Sequence, residues 1–157
     1  HTRANVAYFG TFGYELDLNK LSYEEISEVK QQIAFMKEYR ELIQFGTFYR
    51  LKSPFEGNET AWMTVSEDKK TALVFWYRER NVVNADFTRV RLQGLDPDLI
   101  YRNEYNETEN YGDELMNLGL LTTDCTAGEP TSEDEPCTDY ESRIYVLTTV
   151  ARIPSPL

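Results

Sequence analysis

Histidine is almost missing: His1 is the only one in 157 residues. A Ser-His-Asp triad, a histidine-ligated zinc and a Cys–His nucleophile pair all need an imidazole, so none of these chemistries has its parts here. Cysteine is nearly as scarce. Cys125 and Cys137 are the only two, too few for a disulfide framework or an all-thiolate zinc site. They are read as two loop thiols, although a disulfide closing the loop between them is geometrically possible. Basic residues are in deficit, with 16 Lys and Arg against 27 Asp and Glu and a net charge of -11. Nucleic-acid backbones and anionic membrane surfaces repel such a chain, so neither is an expected partner. No apolar run approaches the roughly 20 residues that span a bilayer, and the opening residues 2–6 lack the continuous apolar core of a secretory signal. Walker loops, dinucleotide-binding glycine fingerprints and nucleophile elbows are absent. No internal repeat is found.

The chain does have the means to build a core. Hydrophobic residues make up 41% and aromatics 13%, with 11 Tyr and 8 Phe. A single domain of this length buries roughly 68–70% of its unfolded surface without needing staples. Residues 2–18 open with closely packed Ala4, Val6, Ala7, Tyr8 and Phe9, which reads as a short buried helix, and Gly10 and Gly13 end it. Nothing earlier in the sequence serves to cover that helix. Its expected cover is therefore a body outside the chain, or another copy, and otherwise the segment is expected to be mobile. A long helix is predicted over 23–44. Ser22 and Glu25 form a capping box. Ile26, Val29, Ile33 and Met36 then share one face at spacings of three and four, and Gly46 stops the helix.

From residue 47 the periodicity changes to that of strands. Thr47-Phe48-Tyr49-Arg50-Leu51 is short and aromatic and is closed by Pro54. Residues 61–66 and 71–78 flank the polar turn Glu67-Asp68-Lys69-Lys70, which predicts a hairpin. In its second strand Leu73, Phe75 and Tyr77 alternate with Ala72, Val74 and Trp76. Apolar groups on both sides mark a central strand covered on both faces. Residues 88–93 alternate Val90 and Leu92 with Arg89 and Arg91. Further strands are expected over 99–104 and 143–151. Several short strands at this spacing suggest an antiparallel β-sandwich. Residues 122–139, rich in Asp, Glu, Thr and Pro, read as a mobile loop.

Candidate chemistry is sparse. Paired carboxylates are what glycoside hydrolysis needs, and Glu15 and Asp17 lie beside a glycine-rich bend. Alternation with Leu16 and Leu18 explains them equally well as solvated positions, and no catalytic, metal-binding or cofactor-binding residue is assigned. Trp62, Phe75, Trp76 and Tyr77 are aromatics that stack on sugars or fill a core, and core filling is the commoner use. Trp62 lies one residue off the Met63/Val65 face, so it is the candidate for sugar contact. Asn58-Glu59-Thr60 and Asn106-Glu107-Thr108 match the N-glycosylation pattern, which matters only in a eukaryotic secretory pathway.

Taken in order, several short motifs resemble a known family. Thr2-Arg3-Ala4-Asn5-Val6-Ala7 followed by Phe12-Gly13-Tyr14-Glu15-Leu16-Asp17-Leu18 is similar to the end of the catalytic barrel in glycoside hydrolase family 36. Ile33-Ala34-Phe35, Tyr39-Arg40 and the run from Ile43 to Leu51 resemble the helix and first strand that follow it. Ala61-Trp62-Met63 and Ala72-Leu73-Val74-Phe75 resemble the next hairpin. Leu92-Gln93-Gly94-Leu95-Asp96-Pro97 and Tyr111-Gly112-Asp113-Glu114-Leu115-Met116 resemble the later part. The likeness is nearest to bacterial, lactobacillus-like members and covers nearly the whole chain apart from 122–139. It implies a parent enzyme, a retaining α-galactosidase acting on melibiose and raffinose-type sugars, with two catalytic aspartates on barrel strands preceding this segment. It also implies a cytoplasmic bacterial protein without cofactor, in a homo-oligomeric parent. Residues 1–46 would end the barrel and connect it to a C-terminal β-sandwich over 47–157. The chain itself would be structural and inactive, with the missing barrel of the same polypeptide as its partner. The alternative is a carbohydrate-binding module using exposed aromatics such as Trp62.

Overall fold

The computed structural model describes residues 2–82, 87–122 and 139–150. Helix α1 (Thr2–Ala7) opens the chain, and a single 3-10 turn (Leu18–Lys20) precedes the long α2 (Tyr23–Phe45). Both halves of the capping box form: Ser22 Oγ accepts the Glu25 N–H at 3.2 Å, and Glu25 Oε2 accepts the Ser22 N–H at 2.7 Å. Two of the four orphan donors of the helix start are thereby satisfied. At the other end the Gly46 N–H donates to Leu42 C=O at 2.9 Å. Glycine is required there by space, because a Cβ would lie 2.5 Å from both Leu42 O and Thr64 Oγ1.

Strands β1 (Thr47–Lys52), β2 (Glu59–Val65) and β3 (Thr71–Arg78) follow as an antiparallel meander. The β2–β3 hairpin closes through Asp68, whose carboxylate accepts the Ser66 hydroxyl and the Lys70 N–H, while Lys69 takes a left-handed φ of 57°. Strand β4 (Arg89–Val90), β5 (Ile100–Asn103), β6 (Glu109–Tyr111), helix α3 (Gly112–Asn117), β7 (Leu120–Leu121) and β8 (Glu141–Thr149) complete the fold. Six strands form one antiparallel sheet in the order β1-β2-β3-β8-β5-β6, and β4 pairs with β7 in a separate ladder.

The central strand β3 is covered on both faces, as its double alternation predicts. Ala72, Val74 and Trp76 pack with Met63, Val65, Tyr145 and Leu147 beneath Val90, Leu92, Leu95, Leu115 and Leu120. Leu73 and Phe75 face the helices instead and pack with Tyr8 and Met36. The architecture is thus mainly antiparallel β with a helical lead-in. Its second layer, among the described residues, is only the β4–β7 ladder, α3 and the joining loops. The strand expected over 88–93 pairs only at Arg89 and Val90. Beyond them the Leu92 N–H turns to the Leu115 C=O of α3 at 3.1 Å, so the alternation persists without a partner strand.

The opening segment differs from expectation. It packs on the sheet of its own chain, with Val6 left half exposed. Asn5 and Tyr8 are buried, and Phe9 and Phe12 pack with the sheet face of Phe75. Thr2 Oγ1 donates to Tyr140 C=O at 2.9 Å, and Asn5 Nδ2 donates to Ser142 Oγ at 2.9 Å. The cover for this helix comes from β3 and β8, the latter more than a hundred residues later, a distance that local pattern does not reveal. Along α2 only Met36 is fully buried, while Ile26, Val29 and Ile33 are half-buried. The loop over 122–139 falls mostly in residues 123–138, outside the described residues, as do Cys125 and Cys137.

Candidate functional site

Of the aromatics considered for sugar contact, Trp62, Phe75 and Tyr77 lie under the helical lead-in, and Trp76 lies on the opposite face. Trp62 is half-buried on β2, opposite Phe75 on β3. Its ring meets Tyr77 at 4.8 Å between centroids and Phe9 edge-on at 5.6 Å. Phe9 in turn stands edge-on to Phe75 at 4.0 Å. Such perpendicular arrangements set the positive ring edge against the negative ring face. Phe75 and Trp76 are fully buried. The Trp62 indole Nε1 is buried without a hydrogen-bond partner, and the Tyr77 hydroxyl donates to Asn5 C=O at 2.7 Å. The four aromatics therefore do not form an exposed row. Burial raises the Tyr77 hydroxyl pKa above its usual value. Tyr8 is pushed up to about 12, chiefly by burial and further by neighbouring Tyr14 and Glu28.

Glu15 and Asp17 are both exposed. Asp17 Oδ1 accepts the Asn19 N–H at 3.1 Å and caps the 3-10 turn, a local structural use. Among the described residues, no three His, Cys, Asp or Glu side chains gather where they could hold a metal ion.

Charges do gather at one end of the sheet, on the face away from the helices. Lys52 pairs with Glu59, and Arg78 and Arg143 both pair with Glu141. Register places Glu59, Arg78 and Glu141 directly across neighbouring strands. The Arg78 and Arg143 guanidinium carbons stand 5.5 and 5.8 Å from the Trp76 ring centroid, within cation–π range. Three cations and two carboxylates alternate along this row, and each is paired within it. The accessible recesses are shallow. One of about 330 Å³ lies between Phe45, Tyr49, Glu67 and Gly94, and another of about 160 Å³ lies between Thr2, Thr60, Tyr77 and Tyr140. The second is also lined by Glu79 and Glu141, of which Glu141 is held by Arg78 and Arg143. No helix among the described residues is long and apolar enough to cross a membrane.

Residues 59–147 match the family described as the glycosyl hydrolase family 36 C-terminal domain. The chain belongs to glycosyl hydrolase family 36. Residues 1–46 of this family 36 chain match a second family, described as melibiase. The α-galactosidase AgaA of Geobacillus stearothermophilus is 52% identical over 119 residues, which cover 76% of the chain and 16% of that protein. The α-galactosidase Mel36A of Lactobacillus acidophilus is 44% identical over 120 residues, with the same two shares. Among solved structures, the α-galactosidase of Lactobacillus brevis superposes with a TM-score of 0.84 at 39% identity, covering 96% of the chain and 20% of that protein. The chain therefore spans about one sixth of the length of the relatives it matches.

Sequence reasoning passed over the anchors of the lead-in. Thr2 and Asn5 are polar residues inside an otherwise apolar stretch, and that interruption was the available signal. It also passed over α3, which begins at a glycine: a Cβ on Gly112 would lie 2.0 Å from Asp96 O. Helix propensity argues against glycine in such a place, and close backbone approach overrides it.

Proposed function

We propose that this chain is the C-terminal end of a bacterial α-galactosidase and acts there as a structural accessory β-domain. Residues 1–46 end the catalytic barrel and connect it to the β-domain over 47–157, and the catalytic aspartates lie upstream. The observation that carries this reading is the order of the two family matches, melibiase over 1–46 and then the family 36 C-terminal domain over 59–147. The burial of Phe75 and Trp76 and the capping role of Asp17 support a scaffold rather than a reaction centre. The substrates proposed for the whole polypeptide are terminal α-galactosides such as melibiose and raffinose. The proposed assembly is a homo-oligomer, and the proposed location is the cytoplasm.

The 157-residue chain is expected to give no hydrolysis of an aryl α-galactoside above a blank. Turnover that disappears on replacing Glu15 or Asp17 would overturn the structural reading. The carbohydrate-binding alternative at Trp62 is tested by titrating the chain with melibiose and galactose while following tryptophan fluorescence. No saturable change is expected.

A further inference from the structure

The recess of about 330 Å³ where α2 passes into β1 is lined by Phe45, Tyr49, Glu67, Lys69 and Gly94, among others. Phe45, the last residue of α2, is 81% exposed. The β2–β3 turn accounts for the freedom of Glu67 and Lys69. Its own side-chain bonds use Ser66 and Asp68: Asp68 Oδ1 accepts the Ser66 hydroxyl at 2.7 Å and the Lys70 N–H at 3.0 Å. Lys69 takes part only through its backbone. Its N–H donates to Ser66 C=O at 2.9 Å, and its C=O accepts the hydroxyl of buried Tyr101 at 2.7 Å. The turn is thus held in place while the Glu67 and Lys69 side chains stand exposed. The Tyr49 ring is seated by a missing Cβ, since one on Gly94 would lie 2.4 Å from the Tyr49 hydroxyl. Among the described residues, neither that hydroxyl nor the Glu67 carboxylate nor the Lys69 ammonium has a hydrogen-bond or ion-pair partner.

One recess therefore gathers an open aromatic ring, a carboxylate, an ammonium and a phenol. An anion would meet Lys69 and be repelled by Glu67, and a cation would meet the reverse. A hydroxyl both donates and accepts, so it suits either charge. Neighbouring hydroxyls on one ring can serve the carboxylate and the ammonium together, and the Tyr49 hydroxyl adds a third point. The weakly positive C–H groups of such a ring suit the negative face of Phe45. An aromatic surface with a few convergent polar groups is the usual make-up of a small-ligand site. The volume is at the low end of the roughly 300–1,000 Å³ of such sites, which suits one ring rather than a chain of them. Both tryptophans lie elsewhere. Trp62 is three residues along β2 from Val65 and on the other face, roughly 10 Å away. Trp76 pairs with Ala61, farther still along the hairpin. Tryptophan fluorescence therefore does not report on this recess.

We propose that the recess bounded by Phe45, Tyr49, Glu67 and Lys69 is a binding site for one neutral sugar ring. This role goes beyond that of a scaffold and does not rest on it. The test is a titration of the isotope-labelled 157-residue chain with galactose and, separately, with glucose, followed by backbone amide chemical shifts. Saturable shifts are expected at residues 45–49, 65–69 and 94, with a dissociation constant on the order of 1 mM. F45A removes the aromatic face and E67A the carboxylate, and each is expected to weaken binding about tenfold. Both side chains are exposed, and circular dichroism checks that each variant stays folded. F55A is the control: Phe55 is 95% exposed and lies outside the recess, so its loss should leave binding unchanged. The absence of saturable shifts with either sugar would overturn the proposal. So would shifts that avoid the recess, F45A and E67A binding as wild type does, or tighter saturation by acetate than by either sugar.

Discussion

The Phe9 ring stands edge-on against Phe75, with centroids 4.0 Å apart and planes at 79°. One belongs to the segment matching melibiase, the other to the segment matching the family 36 C-terminal domain. The two family segments thus share one apolar cluster. Replacing Phe9 by Ala is expected to destabilise the chain by about 2 kcal/mol, less than the roughly 3–5 kcal/mol of a fully buried phenylalanine. Urea unfolding measures it. An unchanged midpoint would show that the lead-in contributes nothing to the sheet.

Removing the lead-in as a whole extends that test. A chain beginning at Asn19 loses Tyr8, Phe9 and Phe12, and so part of the cover of Leu73 and Phe75. A large drop in melting temperature is expected, without dependence on protein concentration. Unchanged stability would place a folding boundary inside residues 2–18.

At Gly46 the constraint is space, since its φ is an ordinary -66°. A Cβ there would crowd Leu42 O and Thr64 Oγ1 at 2.5 Å, and the Thr64 hydroxyl already donates to Leu42 C=O at 3.0 Å. Gly46→Ala is expected to cost about 1–3 kcal/mol, as overpacking does. Thermal melts read the loss, and a neutral result would mean that the helix–strand junction yields easily.

How much of this was legible in the sequence depends on range. The capping box at Ser22 and Glu25, the double alternation of β3 and the polar turn at 67–70 are local patterns, and the structure forms all three. The packing of Tyr8 and Phe9 on β3 and β8 was not legible, because those partners are remote in sequence. Nor was the shortness of β4, where the alternation of Val90 and Leu92 is satisfied by burial alone and only two residues find a partner strand. The place of Trp62 was half legible. Its offset from the Met63/Val65 face was correctly read, but α1 and the turn after it cover the other face as well.

Alkaline pH probes the same aromatic cluster. Tyr8 and Tyr39 are both raised to about 12, mainly by burial. The unfolded chain therefore releases these protons near the ordinary tyrosine value of 10.0, while the folded chain holds them longer. Stability is fully present below about pH 10 and falls as pH rises toward 12. Urea midpoints across this window should decline, and Y8F should flatten the decline. A decline equally steep in Y8F would assign the effect to other groups.

The most direct measurement is hydrolysis of an aryl α-galactoside by the whole polypeptide that ends in this chain, compared with the 157-residue chain alone. The expected result is turnover with retained anomeric configuration by the whole polypeptide and none by the chain. Turnover by the isolated chain, or a whole polypeptide inactive toward every α-galactoside tried, would contradict a structural domain of an α-galactosidase.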